Sequence, residues 1–75
     1  MSEYIATFFS HYDALTFYNF LKEKSVTAKL APVPRKVSAS CGTCVFFSTD
    51  ASFDFTGHEL EALYIETSGI YTNVL

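Results

Sequence analysis

Apolar and polar positions change period several times along the chain, and each change marks an element. Tyr4 to Phe9 is aromatic, aliphatic or β-branched, with bulk at both parities, as in a strand covered on both faces. Ser10-His-Tyr-Asp13 then has the spacing of a capping box, with the serine hydroxyl able to accept from an early helix amide. Beyond it Ala14, Phe17, Tyr18 and Leu21 recur at helical spacing while Thr16, Asn19 and Glu23 fall opposite, which predicts a helix over Tyr12 to Lys24. Val26 to Leu30 reads as a second strand, stopped by Pro32 and Pro34, which cannot donate to a ladder. Thr43 to Phe47 is a third strand. Thr56-Gly-His-Glu59 repeats the capping-box spacing ahead of Leu60, Leu63 and Tyr64, which predicts a short second helix. Gly69 punctuates, and Ile70 to Val74 is a last strand.

The resulting order is strand, helix, strand, strand, helix, strand. It fits an α+β ferredoxin-like βαββαβ arrangement, an antiparallel sheet with both helices on one face, formed by residues 1–75 as one domain. Two helices on one face would leave the other open. The apolar character of the first strand on both sides therefore predicts either pairing with a second copy, as a homodimer, or exposed aromatics.

Composition narrows the class. Of 75 residues 49% are apolar, and 8 Phe and 5 Tyr supply most of the bulk, which excludes a disordered tail. A chain this short sits near the size where one core gives no more than roughly 3–5 kcal/mol, so aromatic packing and self-association have to contribute. No apolar run approaches the roughly 20 residues that span a bilayer. The opening Met-Ser-Glu-Tyr-Ile lacks the basic stretch and apolar block of a secretory signal, and two cysteines cannot build a secreted disulfide framework, so a cytoplasmic protein is expected.

Charge is unevenly placed. All five basic residues lie between Lys22 and Lys36, a stretch of net +4, while the remainder carries −7. No Asp or Glu occurs from Ser25 to Thr49. The acidic overall balance argues against nucleic acid as a partner. A local site for a small anion or a thiolate fits better, in competition with ordinary solvated lysines at a helix end and in a loop.

Pro32-Val-Pro-Arg-Lys-Val-Ser-Ala-Ser-Cys-Gly42 is the segment least explained by packing. Its prolines stiffen it, Arg35 and Lys36 carry charge, Ser38 and Ser40 supply hydroxyls, and Gly42 lets a second group approach the backbone next to Cys41. An acid-free loop with cations beside a thiol suits a cysteine that works as a thiolate, whereas the plain alternative is a small buried hydrophobe in a β-connection. Along most of its length the sequence resembles the selenium/sulfur carrier protein-like family of small bacterial domains. The resemblance runs through the Phe-Phe-Ser before the first helix, the Pro-x-Pro-Arg loop, Ser-x-Ser-Cys-Gly and the closing Gly-Ile-Tyr. Pro32, Pro34, Arg35, Ser38, Ser40, Cys41 and Gly42 match the family pattern. The resemblance implies that Cys41 is the carrier thiol, and that the partners are sulfur or selenium donor and acceptor proteins.

Three thiol chemistries compete at Cys41-Gly-Thr-Cys44. A dithiol redox pair normally opens a helix, whereas this motif enters a strand. There an offset of three points the side chains to opposite faces, with Cα atoms about 10 Å apart against the roughly 4.4–6.8 Å that a disulfide needs. A zinc site would need His11 and His58 as further ligands. The topology sends them to opposite edges of the sheet, so neither metal nor cofactor is expected. The remaining chemistry is a single thiolate at Cys41 that accepts a sulfane sulfur or reduced selenium and holds it as a persulfide-type adduct. Arg35 and Lys36 are expected to stabilise the charge, and His11, at the positive end of the first helix, is a candidate partner of the thiol. The rival class is a dimerising module that binds a small molecule or a protein without chemistry of its own.

Overall fold

The computed structural model describes residues 2–35, 37, 40, 42–50 and 60–74. Its elements run β1 (Ser2–Thr7), α1 (His11–Glu23), β2 (Thr27–Pro32), β3 (Thr43–Thr49), β4 (Ala62–Thr67) and β5 (Ile70–Asn73). The strands form one sheet in the order β2-β3-β1-β4-β5, and every neighbouring pair is antiparallel. The first strand of the chain is thus the centre of the sheet, with β3 and β4 on either side of it.

Helix α1 starts where the capping spacing places it. Ser10 is extended (φ −140°), and its hydroxyl accepts from the Asp13 amide at 3.2 Å. Ala14, Phe17 and Leu21 are buried against the sheet, where Phe17 meets the rings of Phe8 at 5.4 Å and Phe47 at 5.6 Å. Tyr4 stacks on Phe47 at 5.3 Å in the same layer. At the other end of the helix Lys22 and Lys24 lie over the rings of Tyr18 and Phe20, at 5.8 and 5.7 Å. Those two lysines are therefore spent on α1 itself, a helix length from the Pro32–Gly42 segment.

The second helix expected from Leu60, Leu63 and Tyr64 is not formed. Leu63 and Tyr64 belong to β4, and Thr56 to Glu59, with His58, lie outside the described residues. In Tyr64-Ile-Glu-Thr67 the β-branched Ile65 and Thr67 alternate with Tyr64 and Glu66, and Ser68-Gly69 closes β4 onto β5 with φ of +51° and +81°. Positive φ at both central residues is the two-residue turn whose twist matches a hairpin. The described residues are consequently α+β with one helix and a five-stranded antiparallel sheet, in place of the two-helix ferredoxin-like sandwich. Pro32 also sits within a strand: it is the last residue of β2, paired with Thr43. An edge strand accepts proline because its nitrogen can face away from the ladder.

Apolar bulk on both faces of β1 has a simple outcome. Ala6 packs under α1, while Ile5, on the opposite face, is 1% exposed. Ile5, Cys44 and Val37 form a second buried cluster, with Val33, Phe46, Tyr64 and Tyr71 packed against it. The chain's own Pro32–Gly42 connection thus covers part of the face that was expected to be open.

Candidate functional site

The end of the sheet away from the α1 C-terminus brings together the close of β1, the start of α1, the close of β2 and the starts of β3 and β4. Thr7 pairs with Cys44 on one side and with Ala62 on the other, which fixes the level of all three strands. The β2–β3 ladder continues one step beyond the strands, the Val33 amide donating to the Gly42 carbonyl at 3.1 Å. Val37 then donates to the Pro34 carbonyl at 3.0 Å, closing a turn that leaves Arg35 exposed and turns Val37 back into the core.

His11 arrives at this end as the topology requires. Its Nδ1 lies 3.3 Å from the Thr43 hydroxyl, two residues beyond Cys41. The positive end of the α1 dipole accordingly faces the start of β3. Cys44 is fully buried, and its thiol donates to the Pro32 carbonyl at 3.7 Å, so it ties the closing turn of β2 to β3. Ser40 and Gly42, which flank Cys41, are both exposed. Cys41, Lys36 and Ser38 lie outside the described residues.

Gly42 has φ +74°, and a Cβ placed there would meet nothing within 4 Å among the described residues. What the position demands is the left-handed backbone, which costs other residues roughly 1–2 kcal/mol.

Glu61 is a residue of this end that the sequence reading did not single out. Its carboxylate accepts from both donors of Ser40: the amide at 2.9 Å and the hydroxyl at 2.5 Å. These two hydrogen bonds, the hydroxyl's first, hold its pKa below the ordinary glutamate value. The Pro32–Gly42 segment is acid-free in sequence but not in space. Among the described residues no three His, Cys, Asp or Glu side chains group closely enough to hold a metal ion.

Among the described residues, one helix and a five-stranded antiparallel sheet, with a turn-closed connection between β2 and β3 at the sheet end, define the class of protein as α+β. The family described as Putative Se/S carrier protein-like matches residues 3–72, and the chain belongs to that family. No curated protein and no solved structure matches the chain. No helix among the described residues is long and apolar enough to cross a membrane.

Proposed function

We propose that this protein is a sulfur or selenium carrier that uses Cys41 as its thiol. The observation that carries the reading is the complete burial of Cys44. A carrier thiol has to reach a partner's sulfur, and Cys44 has a structural task instead, so Cys41, between the exposed Ser40 and Gly42, is the sulfur left for exchange. Family membership supplies the cargo class.

The transfer is a thiolate exchange without net oxidation. Cys41, as thiolate, attacks the outer sulfur of a donor protein's persulfide; the donor's S–S bond breaks, a new S–S bond forms at Cys41, and the donor leaves as its own thiolate. The selenium case replaces that outer sulfur by selenium in the corresponding S–Se adduct. Arg35, His11 and Lys36 supply positive charge or hydrogen-bond donors near the anion, and the α1 dipole adds to them. Phe9 and Tyr12, 60% and 75% exposed where β1 gives way to α1, offer apolar contact to the donor and the acceptor.

Labelled persulfide from a cysteine desulfurase tests the assignment. Wild type and Cys44→Ala should load about equally and react equally fast with a small alkylating reagent, while Cys41→Ser should lose both. Equal label on wild type and Cys41→Ser would overturn it. The second reading, a dimerising binding module without chemistry, draws on Phe46, Tyr64 and Tyr71, which stay half-buried on the sheet face opposite α1.

A further inference from the structure

We infer that Glu61 is the positioning residue of the Cys41 loop: its carboxylate takes both donors of Ser40 and so fastens the backbone just ahead of the carrier thiol to the β1–β4 end of the sheet. The inference rests on the carrier reading of Cys41 for its purpose, but not for its geometry. Glu61 stands on a rigid base, because its own amide donates to the Thr7 carbonyl at 2.8 Å and extends the β1–β4 ladder by one step. Ser40 lies 21 residues away in sequence and on the surface, yet both its backbone amide and its hydroxyl converge on this one side chain. Two parallel bonds to one carboxylate fix orientation as well as distance, which a single contact does not.

The arrangement has a chemical cost. An anion one residue from Cys41 opposes the thiolate, the reverse of what Arg35 and Lys36 contribute. A side chain retained for its charge would be basic here, so the part Glu61 plays is placement. Delivery of a sulfur between two proteins needs the acceptor thiol held in line with the donor's S–S bond, and small misplacements there cost large factors in rate. A small reagent approaches from any direction and gains nothing from placement. The two kinds of reagent therefore separate the role of the carboxylate as anchor from its role as charge.

The test compares Glu61→Ala, Glu61→Gln and Ser40→Ala in the full chain, all carrying Cys44→Ala so that one thiol is read. Glu61→Ala should speed exchange of the Ser40 amide proton at least tenfold and cut persulfide loading from a cysteine desulfurase at least tenfold. Its alkylation by a small reagent at neutral pH should rise about two- to threefold, the scale of removing one solvent-exposed charge. Glu61→Gln, which keeps an acceptor, should show the same rise in alkylation with most of the loading retained, and Ser40→Ala should fall between the two in loading. Unchanged Ser40 exchange in Glu61→Ala, or loading equal to that of the parent, overturns the inference. If the parent itself takes up no label, the carrier reading fails, and the anchor stands or falls on the Ser40 exchange rates alone. Should Glu61→Ala not fold, Glu61→Gln and Ser40→Ala carry the comparison.

Discussion

Glu61 and Ser40 form a pair whose strength depends on a proton. Only the ionised carboxylate can accept from both the Ser40 hydroxyl and the Ser40 amide, which is why its pKa lies below 4.5. A lowered folded-state pKa means a contribution fully present above the ordinary glutamate range and lost as pH falls through the lowered value. The Ser40 amide resonance should accordingly titrate with a midpoint below that of an ordinary glutamate; a midpoint at or above the ordinary value would show that the contact does not persist in solution. The sequence could not reveal this pair, because the capping-box spacing Thr56-Gly-His-Glu59 ahead of Leu60, Leu63 and Tyr64 places Glu61 inside a helix. Had Ala62 to Thr67 been read as a strand, Glu61 would have fallen beside Thr7, at the same sheet end as the loop. His11 was legible there for that reason: the start of α1 was correctly placed, and its approach to Thr43 follows from topology.

At the scale of elements, α1 is held mainly by one ring. Phe17 is 1% exposed and touches Phe8, Phe20 and Phe47, so it joins the helix to β3 and to the residue that follows β1. Phe17→Ala should cost about 3–5 kcal/mol, and in a domain of this size chemical denaturation should find it largely unfolded in water; a loss below about 1 kcal/mol would mean that the helix is held elsewhere. The same element was the most legible in the sequence, since a full stripe at helical spacing follows a capping serine. Strands β1, β2, β3 and β5 were legible to within a few residues. β4 was not, because Leu60, Leu63 and Tyr64 satisfy a spacing of three and four as readily as Leu63 and Ile65 satisfy a spacing of two. With so few apolar positions the two periods overlap, and the deciding signal was the Ser68-Gly69 pair after them.

In the molecule as a whole, both faces of the sheet are used, but unequally. α1 packs over the β2–β3 side of one face, and the β5 end of that face leaves Ile70 (67%) and Val74 (50%) exposed. On the other, Val37 and Val33 cover one end, while Phe46, Tyr64 and Tyr71 remain half-buried. We expect two copies to bury this face together, giving a light-scattering mass near twice 8.4 kDa in the micromolar range and a return to the single-chain mass with Tyr71→Glu. A constant single-chain mass at every concentration would rule the association out. The central position of β1 reaches beyond packing into the order of assembly. The strand made first has no neighbour until residues 43–49 and then 62–67 exist, so nothing emerging early from a ribosome can hold it. Only β2 with β3 and β4 with β5 are consecutive pairs, and the centre of the sheet has to be inserted between them by long-range closure. The sheet of such a chain closes only once β4 is available to it. Until then its central strand stays open to a chaperone or to another nascent copy.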